Sequence, residues 1–198
     1  MDDPFVLYLI RHLETAANRE RRYVGWSNVP VCTAAGPSGL YPDHLTGSDL
    51  LRCRQTAVML FPGMPYEARQ EFREANFGEW EMKTYEDLKE NVRYRSWIDD
   101  PSAEHPPGGE RFADLEARVM HGIDRLKKQK IRSAAIVTHG GPARVLLSEL
   151  APERQPFFGW SVPPGGIYML EWIHRKSWEE GHRCTSLSEV PITGSANM

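Results

Sequence analysis

The chain has 198 residues and a net charge of -3, a size that suits one compact domain and a charge that excludes the strongly basic footprint of a nucleic-acid binder. Hydrophobic residues make up 40%, enough for a core that needs neither disulfide nor metal. Cys32, Cys53 and Cys184 are widely spaced with no C-x-x-C pair, so neither a disulfide framework nor a zinc site is signalled.

Met1-Asp-Asp-Pro4 is acidic, and the apolar run after it is too short for a signal core or a membrane span, so a cytoplasmic location with no membrane partner is expected. That run, Phe5–Ile10, has the pattern of a strand buried on both faces and leads into Arg11-His12. A first helix is expected from Ser48 or Asp49 as N-cap to about Phe61, where Pro62-Gly63 ends it. A helix across Tyr85–Trp97 would close at Asp99-Asp-Pro101. The next helix follows Gly108-Gly109 and sets Phe112, Leu115, Val119, Ile123 and Leu126 near one face. Ser133–Thr138 reads as a second buried strand and leads into His139-Gly-Gly141. A helix from about Pro142 to Leu150 follows. Ile167–Trp172 is a third candidate strand. Buried strands alternating with helices predict an α/β fold with a mainly parallel sheet. One domain is expected over residues 1–178, with a small helical insertion at about 82–110. Residues 179–198 read as a polar tail with partial disorder.

If the two buried strands are neighbours, His12 and His139 converge beyond their carboxyl ends, where open α/β sheets bind ligands. Arg11 stands beside them. Gly140 and Gly141, followed by a helix start, offer free N–H groups and a positive dipole end. Such a site suits a phosphate. Arg52 falls in the first turn of its helix, where a cation is unfavourable unless a bound anion compensates it. The stretch from Glu71 to Glu81 sets Glu71, Glu74, Glu79 and Glu81 among Phe72, Phe77 and Trp80. A carboxyl beside aromatic rings can keep its proton and serve as a general acid, while most of the four are expected to be solvated loop charges. A lone histidine is more often structural than catalytic; agreement among separate segments is what favours a site.

Together these segments resemble the histidine phosphatase superfamily, which includes the phosphoglycerate mutases. Arg11-His12-Leu13-Glu14-Thr15, followed by Asn18, is similar to its Arg-His-Gly-Glu-Thr hallmark. Ser48–Ala57 resembles its Ser-Asp-Leu-x-Arg-x-x-Gln-Thr-Ala block, Phe72–Glu81 its Leu-Arg-Glu-x-x-Phe-Gly-x-Trp-Glu block, and His139-Gly-Gly141 its last. The blocks arrive in family order over about residues 5–172. The resemblance implies a three-layer α/β/α sandwich and a metal-independent, cofactor-free phosphatase acting on a small phosphate ester. His12 would be the nucleophile. Arg11, Arg52 and His139 would hold the phosphoryl oxygens, and Glu74 would protonate the leaving oxygen and then activate water. Asn18, Gly140 and Arg111 would bind substrate.

Tyr94–Pro101, Pro106–Glu110, Gly25-Trp26-Ser27 and Trp160–Gly165 make the chain look most like the α-ribazole phosphatases of cobalamin biosynthesis. A mutase-like phosphotransferase, a broad-specificity sugar-phosphate phosphatase, a catalytically weakened phosphate-binding protein and a metallohydrolase are the alternatives. The chain departs from the family pattern at Leu13 and Met82, both in place of glycine, and at Arg111, in place of Ser or Thr. Leu13 is expected to hold the backbone further from the phosphate. Between Thr33 and Ser48 the usual helix is expected to be reduced or absent, because the segment is short and rich in Gly and Pro. An exposed sheet face there would be a route to a homodimer.

Overall fold

The three apolar runs and three shorter, more polar segments assemble into a six-stranded sheet in the computed structural model, which describes residues 3–191. In chain order the elements are β1 (Phe5–Arg11), α1 (Ala16–Arg19), β2 (His44–Ser48), α2 (Leu51–Leu60), β3 (Glu67–Arg69), α3 (Tyr85–Leu88), α4 (Val92–Asp99), α5 (Phe112–Lys127), β4 (Ser133–Thr138), α6 (Gly140–Leu150), β5 (Ile167–Trp172), α7 (Arg175–Glu179) and β6 (Ser186–Glu189). The strand order is β3-β2-β4-β1-β5-β6. The first four are mutually parallel; β5 and β6 are antiparallel to their neighbours.

Strand β1 shows why the sheet carries helices on both faces. Phe5, Leu7 and Leu9 join one core with α5 and α6, while Ile10 joins another with α2, the two-residue period of a strand. Strand β4 divides the same way, with Ala134 and Ile136 on the first side and Ala135 and Val137 on the second. Helix α5 buries Leu115, Val119, Ile123 and Leu126. Each such aliphatic side chain contributes about 1.5–3 kcal/mol when fully buried. The result is a three-layer α/β/α sandwich.

Several expected boundaries shift, each for a local reason. Leu50, not Ser48 or Asp49, is the N-cap of α2 and supplies no side-chain bond; Ser48 ends β2 instead. The helix expected across Tyr85–Trp97 is two. Thr84 and Asp87 form a capping box on α3, and Asn91 accepts from the Tyr94 N–H at the start of α4. Helix α6 starts at Gly140 rather than Pro142, so both glycines lie in its first turn. The stretch expected to be a disordered tail contains β6, which pairs with β5; residues 192–198 of that expectation lie outside the described residues.

Between Thr33 and His44 no helix forms, as the Gly- and Pro-rich sequence implies. The face above is nevertheless closed. Ser38 donates its N–H and Oγ–H to the Leu60 carbonyl at 2.9 and 3.0 Å, and Ala35 and Leu40 pack on the core around α2. The homodimer expected from an open sheet face therefore loses its argument.

Candidate active site

Strands β1 and β4 pair with Arg11 opposite Thr138, so the next residues, His12 and His139, emerge side by side. Their rings meet edge to face with centroids 5.1 Å apart. His12 is buried, and its Nδ1 lies 2.7 Å from the Leu13 carbonyl oxygen. A carbonyl only accepts, so Nδ1 carries the hydrogen and Nε2 keeps its lone pair. Burial, reinforced by the Arg52 charge, pushes the His12 imidazolium down to about 3. The ring is neutral at physiological pH.

Arg52 projects from the first turn of α2 and is fully buried. Its Nε donates to His139 Nδ1 at 3.1 Å, which leaves the hydrogen of a neutral His139 on Nε2. Burial, and next the Arg52 charge, hold His139 well below the ordinary histidine range. Cys53 lies against the same ring, with Sγ 3.4 Å from Nε2. Burial pushes that thiol up to about 12, so it stays protonated. The rest of the Arg52 guanidinium is tied to the 25–27 loop, Nη1 to the Ser27 carbonyl at 2.8 Å and Nη2 to the Gly25 carbonyl at 2.7 Å. Arg11 donates through Nη1 to the Val162 carbonyl at 2.5 Å, while its buried Nε has no partner.

Glu74 meets the first turn of α6. Both carboxylate oxygens accept from the Gly141 N–H at 3.1 Å. A Cβ on Gly141 would stand 2.2 Å from Oε1, so only glycine admits the contact. The backbone behind Glu74 is fixed by Arg118, which donates to the carbonyls of Glu71, Arg73 and Glu74 and grips Glu110 with two bonds of 2.6 and 2.8 Å. Trp26 Nε1 adds a bond to the Glu74 carbonyl at 2.9 Å. Of the four glutamates in this stretch only Glu79 is exposed, which corrects the expectation that most are solvated. Glu71 pairs with Arg125. Glu81 accepts from the N–H groups of Gly25, Trp26, Ser27 and Phe77 and from the Ser27 hydroxyl.

The structure thus brings His12, His139, Arg11, Arg52, Gly140 and Glu74 to one end of the sheet. Asn18 stands apart in its bonding: its side-chain oxygen accepts from the N–H and hydroxyl of Thr15, closing a capping box on α1. Arg111 is the exposed N-cap of α5, where it makes no capping bond. Leu13 keeps an ordinary negative φ and donates its N–H to Thr56 Oγ1 at 3.0 Å, so leucine stands here without backbone strain. Arg144 and Arg118 are not marked out by a motif in the sequence, where Glu81 stands only as one of four glutamates among aromatic rings. Arg144 had a readable signal, because it lies four residues after Gly140 and so on the same helix face. Beyond Glu74 and Gly141 opens a cleft of about 210 Å³ walled by Tyr23, Phe77, Trp97, Phe112 and Phe157, with Arg111 and Arg144 at its edge. Among the described residues no three His, Cys, Asp or Glu side chains are grouped to hold a metal ion, and no helix is long and apolar enough to cross a membrane.

Two buried neutral histidines just beyond neighbouring parallel strands, Arg52 bonded to one of them and Glu74 at the head of α6 form one constellation drawn from all four sequence blocks. The family model described as the histidine phosphatase superfamily (branch 1) matches residues 7–184. The chain belongs to the histidine phosphatase superfamily. As a phosphatase of this superfamily it is 31% identical over 159 residues to the adenosylcobalamin/alpha-ribazole phosphatase of Escherichia coli strain K12, covering 73% of this chain and 78% of that protein. A phosphoglycerate mutase from Thermus thermophilus superposes with a TM-score of 0.70 at 31% identity, over 95% of this chain and 99% of its own. The alpha-ribazole phosphatase from Shigella flexneri shares the fold, with a TM-score of 0.80 at 24% identity over 98% of this chain and 100% of its own.

Proposed function

We propose that this superfamily member hydrolyses a small phosphomonoester through a phosphohistidine on His12. The observation that carries the reading is the tautomer of His12: the Leu13 carbonyl holds the Nδ1 hydrogen, and burial beside Arg52 keeps the ring uncharged. His12 Nε2 attacks phosphorus, the ester P–O bond breaks, and Glu74 delivers a proton to the leaving oxygen. In the second half-reaction Glu74 takes a proton from water, water attacks phosphorus, and the P–N bond breaks to release inorganic phosphate. Phosphoryl transfer needs chiefly positioning and positive charge. Arg11, with a buried unpartnered Nε, and the Nε2–H of His139 supply donors, and the Gly140 N–H at the head of α6 adds another. Arg52 acts through His139, whose tautomer it fixes.

The cleft favours a leaving group with a flat aromatic body, since Tyr23, Phe77, Trp97, Phe112, Phe157 and Phe158 all line it and rings prefer tilted or stacked ring partners. Alpha-ribazole 5'-phosphate, the phosphate of a benzimidazole riboside, has that shape, and it is our candidate substrate. A phosphoglycerate would leave the aromatic wall unused. Arg111, at the cleft edge, would contact the leaving group.

The test is a trap by quenching in alkaline denaturant. With radiolabelled phosphomonoester, wild-type protein should carry base-stable, acid-labile label on the peptide containing His12, and H12A should carry none. If H12A keeps about a tenth of wild-type turnover, the nucleophile assignment is wrong. Phosphate release from alpha-ribazole 5'-phosphate should exceed that from 3-phosphoglycerate, and no phosphoglycerate isomerisation should be seen.

A further inference from the structure

Arg144 lies on α6 one turn beyond Gly140, and the proposed reaction leaves it without a role. Its Nε donates to the Trp160 carbonyl at 3.1 Å, and its guanidinium carbon sits 5.9 Å from the centre of the Phe157 ring. Its Nη1 reaches inward. A Cβ on Gly140 would stand 3.2 Å from Arg144 Nη1 and 3.4 Å from the Arg11 guanidinium carbon, so two guanidiniums flank one backbone position at the head of α6. The Glu74 charge acts on Arg11, against the repulsion from Arg144 and Arg52. Two cations held together at the positive end of a helix repel each other and the dipole, an arrangement that relaxes when an anion lies between them. The Gly140 N–H faces the same place, since it is one of the unsatisfied donors of the first helical turn.

We propose that Arg144 is a further phosphate-binding residue, which shares a non-bridging phosphoryl oxygen with Arg11 across Gly140. Its position also explains how the phosphoryl site joins the cleft. Arg144 borders that cleft together with Glu74 and Gly141, so one side chain touches the oxygen that must stay on phosphorus and walls the path of the group that leaves. The Trp160 carbonyl and the Phe157 ring set its direction. A residue that only braced the Trp160 loop would need neither the approach to Arg11 nor the small residue at 140.

The inference rests on the phosphatase reading, and the experiment separates the two. Inorganic phosphate and vanadate contain no leaving group, so their inhibition of p-nitrophenyl phosphate hydrolysis reports the phosphoryl site alone. In R144M both inhibition constants should rise roughly tenfold or more, the loss of one charge-assisted bond. kcat/KM should fall by a similar factor for aryl and alkyl phosphates alike, with the melting temperature within a few degrees of wild type. R144K, which keeps the charge, should recover most of the phosphate affinity. If R144M does not fold, R144Q, which keeps a donor toward the Trp160 carbonyl, gives the same comparison. Unchanged inhibition constants in a folded variant overturn the role of Arg144 and leave the phosphatase reading standing. An R144M effect confined to one class of leaving group also overturns it, because Arg144 would then read the leaving group. Wild-type protein that neither hydrolyses the ester nor binds phosphate overturns both.

Discussion

Met82 is one of two non-glycine residues with positive φ among those described, at 62°. The resemblance puts glycine at this position, and the backbone explains why: an L side chain in the left-handed region costs about 1–2 kcal/mol. The conformation is held from both sides. The Met82 N–H donates to the Tyr23 carbonyl at 2.8 Å, and its own carbonyl accepts from Arg22 Nη1 at 2.8 Å. M82G should therefore stabilise the protein by about 0.5–1 kcal/mol, the relief of strain less the added freedom of the unfolded chain. A urea titration reads this as a higher midpoint at constant slope, and a lower midpoint would show that the Met82 side chain packs more than the strain costs. Leu13, the other glycine replacement, gives no such expectation because its φ is negative.

The 25–27 loop depends on one carboxylate for its shape. Glu81 gathers five donors from Gly25, Trp26, Ser27 and Phe77. The carbonyls thus turned outward from Gly25 and Ser27 receive Arg52, which in turn fixes His139. E81Q keeps the shape but sets an amide NH₂ among N–H groups, so it should destabilise by about 1–3 kcal/mol and lower kcat/KM through His139. E79Q, on an exposed neighbour, should change stability by no more than about 0.5 kcal/mol. Equal effects of the two, in denaturation and in turnover, would remove Glu81 from this chain of contacts. The elements readable in the sequence were those whose own residues carry the pattern. Strands β1, β4 and β5 are apolar runs buried on both faces, and α5 has its apolar face at helical spacing. Strands β2, β3 and β6 were not readable, because they are short and hold Thr, Ser and charged residues that only the neighbouring strand makes sense of. The site divides likewise. His12, Arg52, Glu74, Glu81 and His139 stand in the matched blocks, whereas Arg118 and the partners of Glu81 and Arg144 are distant in sequence, and no local spacing marks such contacts.

At the scale of the whole molecule, two buried neutral histidines at the end of the central strands tie folding to pH. In the unfolded chain both titrate near 6.5, whereas the folded protein holds His12 down to about 3 and His139 well below the ordinary range. Between those limits the unfolded state binds more protons, so stability is full above about pH 6.5 and is lost as pH falls. At pH 5, His12 alone accounts for roughly 2 kcal/mol, since each pH unit inside the window is worth about 1.4 kcal/mol. His139 adds to this in the same direction. Surface carboxylates change protonation over part of this range too, so the informative quantity is the difference between wild type and H12N, in which they cancel. Wild type should lose more stability than H12N between pH 7.5 and pH 5, measured by urea unfolding at each pH. Parallel losses would mean that His12 titrates alike in the folded and unfolded protein, so that burial beside Arg52 does not hold its ring neutral as pH falls below about 6.5.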